Sequence, residues 1–572
     1  MKQSCRQCSA AFDVTDDDLA FYEKVSPIFN GKKELIPPPL LCPECRSRRR
    51  MIWRNERCLY TRPCGLCKKN KVSMFQQDAP FSAYCHDCFY GDGWDALTYG
   101  RDYDFTQSFA ANMEKLLRDV PLMMLYQSGL NENCEFTNYF GPDSRNCYLI
   151  YNSGRDEDCS YSRGLIESKA CLDMLIGNGN QFCCECVNAS DCYSVFFSQN
   201  VAQCKESAFL FNCRRCTHCF GCTNLVQKEY HLFNKPCAPE EFQSHMSQLQ
   251  SAAFVAEMRE KLAELERACI HRENNNINAE NCTGDYLTSS KNCEDCYESK
   301  GSEDCKRLLC SKLCKDSQDL FGFGYDSQLL YESVGSGLST QVVFSWICEL
   351  SSDSYYCLQC ASLDHCFGCV SLRHKKYCIF NKQYTKEEYE TLVPKIIEKM
   401  RHDEGGAAMN PSSKASGSWG EFLPWSMSPF AYNETVAEEF LPLTKEEALK
   451  RGFLWSDAPS IPPPSTKTIS ASALPDSVAE VPDDILNWAI ACEKTGKLFK
   501  LTKQELDCYR THHLPVPRIH PDERHRLRMA LRNPCKLWGR QCAKCKKKIQ
   551  TTYSPDRPEI VYCEECYMKE VC

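Results

Sequence analysis

The sequence has no long apolar run and no export signal at its start. Residues 1–30 lack the basic start, apolar stretch and small-residue cleavage site of a signal peptide. No apolar run approaches the roughly 18 to 20 residues that a membrane span requires. These absences predict a soluble, cytoplasmic protein with no membrane partner. In a reducing cytoplasm, clustered cysteines indicate metal ligands or free thiols more often than disulfides.

The patterns of common catalytic sites are also missing. No nucleophile, base and orienting group occur together, and no glycine-rich phosphate loop is present. A net charge of -8 argues against a nucleic-acid binder coated in positive charge, although local basic patches remain. The sequence therefore predicts a protein that is not an enzyme.

Cysteine, in contrast, is abundant, with 44 residues in a chain of 572. Twelve of them form three sets of paired C-x2-C turns, and two of these sets have the C-x2-C-x17-C-x2-C spacing of a zinc ribbon. Four sulfurs complete a tetrahedron and leave no open position, which is typical of structural zinc. We predict about three zinc ions, bound by Cys5, Cys8, Cys42 and Cys45, by Cys64, Cys67, Cys85 and Cys88, and by Cys542, Cys545, Cys563 and Cys566.

The two ends of the chain are copies of one module. Segment 42–88 aligns with 520–566 at a constant offset of 478, which places "RMIWRN" on "RMALRN". The C-terminal copy retains Cys492, but Thr495, His520 and Glu523 stand where the N-terminal copy has cysteines. A mixed Cys/His/Glu metal site and an empty ribbon held by its core are the alternatives, and thiol loss on both turns favours the empty ribbon.

The N-terminal fifty residues resemble a known family. "CRQCSAAFDVTDDDLAFY" followed by "PPPLLCPECRSRRR" resembles a short zinc-ribbon domain family; the matching residues are Cys5, Cys8, Phe12, Phe21, Tyr22, Cys42, Cys45 and Arg46. The whole chain is similar to long uncharacterised cysteine-rich zinc-ribbon proteins of candidate-phyla bacteria. This resemblance implies an architecture without an activity, because nothing here matches the CoA-transferase label that some of them carry.

A second duplication fills the middle of the chain, where "HCFGCTNLVQKEYHLFNK" recurs as "HCFGCVSLRHKKYCIFNK" at an offset of 147. From Cys147 to Cys222 there are twelve cysteines, and all except Cys184 lie at positions separated by multiples of three. Neither a helix nor a strand keeps such a stripe on one face. The pattern predicts a β-solenoid of about twelve residues per coil, with small thiols filling a narrow interior.

Other interpretations of this region stay open. "CRRCTHCFGC", at 213–222, has spacings that an iron-sulfur cluster, a buried zinc ion or disulfides could also use. The aromatic residues lie off the stripe and are expected to point outward, where they pack on the following helix, the other copy or a second subunit, or form a stacking platform. They are Tyr148, Tyr151, Tyr161, Phe182, Tyr193, Phe196, Phe197, Phe209, Phe211 and Phe220.

The fold class is thus mainly β with helices: a duplicated cysteine-lined β-solenoid flanked by zinc-ribbon modules. The predicted segments are a tandem ribbon module at 1–100, a helical connector at 101–130, solenoid copy 1 at 131–237, a helix at 238–278, solenoid copy 2 at 279–382, a helix at 383–402, a linker with a short helix at 403–484, and the C-terminal module at 485–572. We expect a helix around 105–125 that Pro121 breaks or kinks, and Thr385 and Glu388 as a capping box.

Both terminal modules carry a basic stretch that a phosphate backbone could contact. The possible nucleic-acid contacts are Arg48, Arg49, Arg50, Arg54, Arg526, Arg528, Lys546 and Lys547. The function that the sequence favours is a zinc-binding scaffold that binds a protein partner or itself. Nucleic-acid or ribonucleoprotein binding is the first alternative, and iron-sulfur or thiol redox chemistry is the second.

Overall fold

The computed structural model describes residues 1–406, 419–457 and 463–571, which fold into two compact units. Unit 1 comprises Met1–Leu125, Asn274–Ser456 and Cys535–Leu537, and unit 2 comprises Tyr126–Glu273, Asp457–Pro534 and Trp538–Cys572. Unit 1 therefore joins the N-terminal module to the second cysteine-rich copy, and unit 2 joins the C-terminal module to the first. Among the described residues, none of the helices combines the length and the apolar character needed to cross a membrane.

The cysteine-rich copy of unit 2 is a stack of short parallel strands with a twelve-residue register, here called the first stack (126–236). Leu175 pairs with Val187, and Val187 pairs with Gln199. The strands are Asn131–Glu132, Asn138–Phe140, Ser144–Arg145, Tyr151–Ser153, Arg163–Ile166, Leu175–Asn178, Val187–Ser190, Tyr193–Phe196, Gln199–Ala202, Lys205–Ala208, Thr217–Phe220 and Glu229–Leu232, closed by the antiparallel Lys235–Pro236.

The second stack (275–383), in unit 1, follows the same rule, and both stacks also contain thirteen-residue coils, as where Asn138 pairs with Tyr151 in the first stack. Trp346 pairs with Leu358 at a separation of twelve, whereas Phe321 pairs with Val334 at thirteen. Its strands are Gly284–Asp285, Cys296–Lys300, Leu309–Lys312, Cys314–Lys315, Phe321–Phe323, Ser327–Gln328, Val334–Ser336, Thr340–Val343, Trp346–Glu349, Ser352–Tyr355, Leu358–Phe367 and Arg373–Ile379, closed by Lys382–Gln383.

The predicted stripe lies inside both stacks. In the first stack every stripe cysteine from Cys147 to Cys222 is buried in one core, and Cys184, the exception to the spacing, packs in a different cluster outside it. The backbone explains the three-residue period, because the residue before each inward position has a positive φ, as at Asn146, Leu149 and Asn152. Such a residue turns the chain at a cost of about 1 to 2 kcal/mol, which the hydrogen bonds between coils must offset.

The inward thiols satisfy their hydrogen bonds on the backbone of their own and the next coil. Cys213 Sγ lies 3.5 Å from the carbonyl oxygens of both Phe211 and Cys222, so its single S–H proton can be donated to either of them. Cys183 and Cys360 repeat this pattern with the residues two before and nine after them. Every cysteine among the described residues is a free thiol, so the disulfide interpretation is wrong for that part of the chain.

In unit 2 the outward aromatic residues are covered by elements of the same unit. Phe196, Phe209 and Phe220 are buried in a cluster that also contains Phe242 and Val255 from the two following helices. Of the ten predicted outward rings only Tyr193 is largely exposed. The packing on the following helices is therefore observed, and the stacking platform is wrong, because its rings are used inside the unit.

The rest of unit 2 is built from short elements. Its helices are Pro239–Ser247, Ala252–Ala268, Lys503–Thr511, Pro521–Ala530 and Glu564–Val571, with single 3₁₀ turns at Gln248–Gln250, Ala471–Ala473, Val478–Glu480 and Asp483–Asn487. Its remaining strands are Ile270–Arg272, Lys467–Ser470, Trp488–Ala491, Leu498–Phe499, Trp538–Gln541, Lys548–Thr551 and Ile560–Tyr562. The single helix predicted at 238–278 is thus two helices joined by a 3₁₀ turn and followed by a strand.

Unit 1 has a similar inventory. Its helices are Asp16–Val25, Pro43–Met51, His86–Tyr90, Phe109–Asp119, Lys386–Gly406, Val436–Phe440 and Lys445–Lys450, with 3₁₀ turns at Ala96–Tyr99, Trp425–Met427 and Tyr432–Glu434. The strands of its module and connector are Lys2–Ser4, Ala11–Asp13, Ile28–Phe29, Lys32–Lys33, Tyr60–Pro63, Asn70–Ser73, Ala83–Tyr84 and Leu122–Met123.

Two helix boundaries agree with the proline and the capping box that the sequence predicted. The connector helix ends at Asp119, before Pro121, and Thr385 and Glu388 form the predicted capping box at the start of Lys386–Gly406. The short helix predicted within the linker at 403–484 is present as Lys445–Lys450, capped by Thr444. The linker around it is wrong over 419–444, 451–457 and 463–484, because these residues form packed turns and short elements around buried side chains such as Trp419 and Phe422. The rest of that linker, at 407–418 and 458–462, lies outside the described residues.

Candidate metal centres and buried arginine anchors

Three groups of four cysteines have geometry that suits a metal ion. In site 1 (Cys5, Cys8, Cys42, Cys45), site 2 (Cys64, Cys67, Cys85, Cys88) and site 3 (Cys542, Cys545, Cys563, Cys566) all four sulfurs lie within 4.8 Å of one another. The sulfurs of Cys8 and Cys42 are 3.7 Å apart, those of Cys67 and Cys85 3.9 Å, and those of Cys545 and Cys563 3.6 Å. Each predicted set is therefore brought together as one potential ligand group.

Each site is assembled from a tight turn and a helix start. In site 2 the N–H of Lys68 donates to the carbonyl of Cys64, and Lys68 has a φ of 63°, which directs both cysteines of the turn inward. Lys546 repeats this geometry in site 3. The second pair starts at the residue before a helix, as Cys42 does for Pro43–Met51. Burial raises the pKa of the Cys42 thiol to about 11, and the N–H of Cys45, in the first turn of that helix, partly opposes this rise.

The first cysteine of each site is set up to be a thiolate. Burial raises the pKa of the Cys64 thiol, but N–H groups of Cys85, Cys67 and Leu66 outweigh it and lower the pKa to about 6. The pKa of Cys542 falls to about 6 and that of Cys5 to about 7 for the same reasons. The last cysteine of site 2, Cys88, has its pKa raised to about 12 by desolvation and by neighbouring sulfurs. A cation between the four sulfurs would allow all of them to bind as thiolates, so the donor set fits a metal ion.

The first half of the C-terminal module, here called the degenerate module, keeps the tight turn at Cys492 but lacks the other three cysteines of a metal site. The N–H of Gly496 donates to the carbonyl of Cys492, and Gly496 has a φ of 68°, as the equivalent residues of the intact sites do. The Nδ1 atom of His520 accepts a hydrogen bond from the N–H of Asp522, and Glu523 forms salt bridges with Arg526 and Lys494. Cys492, His520 and Glu523 do not form a ligand group. The geometry therefore favours the empty ribbon over the mixed site.

The predicted arginine contacts are mostly buried inside the protein. Arg48, Arg49, Arg50 and Arg54 are at most 6% exposed, and Arg528 is 5% exposed. Arg49 bonds Glu332 and Glu421, which lie on elements packed against its helix. The basic face that the sequence predicted is wrong for these five residues, because their guanidinium groups are used in internal ion pairs and cannot reach a phosphate backbone.

The buried arginines anchor each module on its stack. In unit 1, Nη2 of Arg46 lies 2.7 Å from Oδ2 of Asp319, and Arg50 approaches the other carboxylate oxygen at 3.4 Å. In unit 2, Arg524 bonds Asp173, and Nη1 of Arg528 lies 2.8 Å from the same carboxylate. Arg524 and Arg528 are the copies of Arg46 and Arg50 at the offset of 478. The same two-arginine, one-aspartate anchor thus occurs in both units.

Further members of the anchor are also repeated. Tyr22 and Tyr509 lie at equivalent positions of the two modules, and each is buried beside the anchor arginine. The acidic residue at the third helical position differs only in length, with Asp18 bonding Arg307 in unit 1 and Glu505 bonding Arg524 in unit 2. Sequence analysis missed this cluster, although the repeated arginines at offset 478 were a usable signal.

The lysines and one arginine remain at the surface. Lys546 and Lys547 are exposed on the turn of site 3, as are Lys68 and Lys69 on the turn of site 2. Arg526 is exposed as well, although its Nε and Nη2 atoms donate to the carboxylate of Glu523. The C-x2-C turns of sites 2 and 3 thus each carry two exposed lysines, among other exposed basic residues of the modules such as Lys24 and Lys33.

The four cysteines of segment 213–222 do not form a group of ligands; they are Cys213, Cys216, Cys219 and Cys222. Among the described residues, only the three terminal sets and Asp353, Asp364 and His365 bring three or more potential ligands within 4.8 Å. The fourth group is partly exposed, and Lys376 already neutralises Asp364 at 2.8 Å. The iron-sulfur and buried-zinc interpretations of 213–222 thus lack a preformed site.

Comparison with known proteins adds little. No protein-family model matches the chain, and no curated protein matches it. A solved structure assigned as an acetyltransferase, from Desulfovibrio desulfuricans G20, aligns with 9% identity over 36% of this chain and 61% of its own length, with a TM-score of 0.10. A score this low carries no argument about fold or function.

Proposed function

We propose that the chain is a non-enzymatic zinc-binding scaffold in which two twelve-residue β-solenoids each carry a zinc-ribbon module. The observation that carries this proposal is the repeated anchor. In each unit, one copy of the module is held on one copy of the stack by the same pair of buried arginines. Such buried ion pairs fix the module on its stack, as a scaffold requires. The closed four-sulfur sites support structural zinc, because no position is left for a substrate or water.

The proposed scaffold needs a contact surface other than the aromatic one. The second stack presents a column of exposed apolar side chains: Leu313, Leu338 and Leu350 lie at equivalent coil corners, and Tyr325 lies one residue before the corner residue of its coil, Asp326. Neighbouring exposed apolar residues of this kind are typical of interaction sites. We therefore place the binding of a protein partner, or of a second copy of the chain, on this column.

Metal analysis of the purified full-length chain tests the proposal. We expect about three zinc ions per chain, no iron and no visible absorption band. Stoichiometric iron with labile sulfide would overturn the scaffold proposal and favour the redox alternative. Replacing Leu338 and Leu350 by glutamate is expected to abolish a dimer or complex seen by light scattering, whereas the same change at exposed Leu130 in the other stack is the matched control.

Contact with a polyanion is the second candidate, and the exposed lysine turns favour it. Lys68 and Lys69 in one module and Lys546 and Lys547 in the other can reach phosphates, which the buried arginines cannot. Each neutralised phosphate makes binding more sensitive to salt. We expect the salt dependence of single-stranded RNA binding to weaken when Lys546 and Lys547 are changed to glutamine, and an unchanged slope would reject this candidate.

A further inference from the structure

One cleft of unit 1 has no use in the proposed scaffold. It has a volume of about 350 Å³ and lies between the end of the second metal module and the last coil of the second stack. The module contributes Tyr90, Asp92, Trp94 and Asp95, and the stack contributes Ser371, Arg373, His374 and Lys375. This volume lies at the small end of the range for ligand pockets, so it suits one small molecule or one unit of a polymer.

Several polar groups of the cleft lack partners of their own. Ser371 is fully buried, and its Oγ has no hydrogen-bond partner among the described residues. The guanidinium of Arg373 lies over the rings of Phe89 and Tyr90, at 5.4 and 5.3 Å, without a carboxylate partner in the described part of the chain. A buried hydroxyl without a partner costs about 1 to 3 kcal/mol, which a ligand could recover.

The equivalent place in unit 2 is closed. Asn224 is the copy of Ser371 at the offset of 147, and its amide donates to the carbonyl of Ile270 at 2.9 Å. Tyr567, the copy of Phe89 at the offset of 478, places its hydroxyl 2.9 Å from the amide oxygen of Asn224. Thus both units have the arginine anchor, but only in unit 2 do protein side chains occupy the position that corresponds to the cleft.

The basic side chains of the cleft are also specific to unit 1. Arg373 and His374 correspond to Val226 and Gln227 in the first stack, and only Lys375 has a charged copy, Lys228. Because the two copies share their core and anchor residues, the packing of the stack does not require this positive charge. The difference marks the cleft as a place where unit 1 does something that unit 2 does not.

We propose that this cleft binds a nucleotide unit, either a free nucleoside monophosphate or one nucleotide of a single strand. Arg373 and Lys375 supply the positive charge that a phosphate needs, and Ser371 adds a hydroxyl donor. Trp94, which is half-buried in the lining of the cleft, offers an aromatic surface on which a base stacks, whereas the ring of Tyr90 is covered by Arg373. Asp92 and Asp95 can accept hydrogen bonds from an exocyclic amino group, so adenine, guanine and cytosine are preferred over uracil.

Calorimetric titration of the metal-loaded full-length chain with AMP tests this proposal. We expect one site per chain, weaker binding of UMP and of inorganic phosphate, and at least a tenfold loss of AMP affinity in Arg373→Gln. Lys228→Gln, the copy of a cleft residue in unit 2, and the double change of Lys546 and Lys547 to glutamine are expected to leave AMP binding unchanged. These controls separate the cleft from the lysine turns.

A second variant protects the test against misfolding. Ser371→Ala removes only the Oγ atom and is expected to weaken AMP binding severalfold at an unchanged melting temperature. A four-nucleotide single strand that binds more tightly than AMP, and loses that affinity in Arg373→Gln, identifies a strand as the source; equal affinities identify the free nucleotide. No binding at millimolar AMP, or binding that survives both variants, would overturn the proposal.

Discussion

Arg46 and Asp319 meet in a buried salt bridge across 273 residues of chain, and the module copy places Arg524 on Asp173 in the same way. Side-chain exposure is 1% for Arg46 and zero for Asp319, so neither charge is solvated. A buried pair contributes little when compared with an apolar pair, but breaking it leaves a charge without a partner. The packing of each module on its stack therefore depends on one buried aspartate, Asp319 in unit 1 and Asp173 in unit 2.

Replacing Asp319 by alanine is expected to destabilise unit 1 by about 3 to 5 kcal/mol, because several buried arginines lose their shared carboxylate. Calorimetric unfolding would show this as a lower transition temperature for one of two transitions. Asp173→Ala is expected to move the other transition, and exposed Asp304→Ala neither. A common shift of both transitions in all three variants would contradict separate anchors.

The acid sensitivity of the anchor follows from the pKa of Asp319. Burial raises that pKa, but Arg46, Arg307 and Arg50 outweigh it and lower the pKa to about 2. Because the folded pKa lies below the unfolded value of about 3.9, the stabilisation is complete above pH 4 and is lost as the pH falls towards 2. We expect Asp319→Ala and the parent protein to converge in stability at pH 2, and a constant difference would refute this.

Restoring the missing cysteines of the degenerate module tests whether its backbone can still form a zinc site. Its turn at Cys492 retains the backbone geometry of the intact sites, and the missing ligands are at Thr495, His520 and Glu523. Changing all three to cysteine is expected to raise the zinc content by one ion per chain, measured by mass spectrometry. Thr495→Cys alone is the control and is expected to add none. An unchanged zinc content in the triple variant would show that the helix start has moved away from the turn.

Asp156 is the one carboxylate of the first stack's inward stripe, and it is 1% exposed. Its Oδ1 accepts from the N–H of Ser168, but Oδ2 has no partner among the described residues. Desolvation raises its pKa to about 7. Two coils on, Asn180 accepts from Cys192 N–H and donates to the carbonyl of Ala189, which shows how an amide fits this position.

Asp156→Asn is therefore expected to stabilise the protein at high pH. The folded pKa lies above the unfolded one, so the parent protein loses stability as the pH rises from about 4 to 7 and stays at that lower level above 7. The full difference is about 4 kcal/mol, from roughly three pKa units, and it vanishes below pH 4. Urea unfolding at pH 4 and 8 measures it, with exposed Asp191→Asn as the control. A variant that is less stable at pH 8 would contradict the argument.

The sequence predicted what depends on short-range periodicity and missed what depends on pairing between distant segments. The stripe from Cys147 to Cys222 and the three cysteine sets follow from spacing alone. The helix Pro43–Met51 looked like a solvated basic face, because four arginines in nine residues seldom lie in a core. Carboxylates far away in the sequence, those of Asp319, Glu332 and Glu421, make that burial possible.

The assignment of modules to stacks was likewise beyond the reach of local patterns. Each module pairs with the cysteine-rich copy that is farther from it along the chain. Segment 419–457 looked like linker because its apolar residues are separated by Ser, Pro and Asn, yet Trp419 and Phe422 are buried in unit 1. Such irregular segments show no period, so their burial depends on a surface that sequence alone does not reveal.

The inward thiols either pack as small apolar groups or bind a metal cluster. A substitution at Cys213 distinguishes these two roles. Ser198, on the same stripe, donates to the carbonyl of Phe196 at 2.8 Å and accepts from Leu210 N–H at 2.9 Å, so a hydroxyl already fits this interior. We expect Cys213→Ser to change the unfolding free energy in urea by less than about 1 kcal/mol, and Cys213→Phe to cost about 1 to 3 kcal/mol or more through overpacking. A cluster ligand would respond in the opposite way, because serine would lose the bound metal and its stabilisation. If the serine variant lost metal along with stability, the inward thiols would be ligands and the packed interior would be the wrong description.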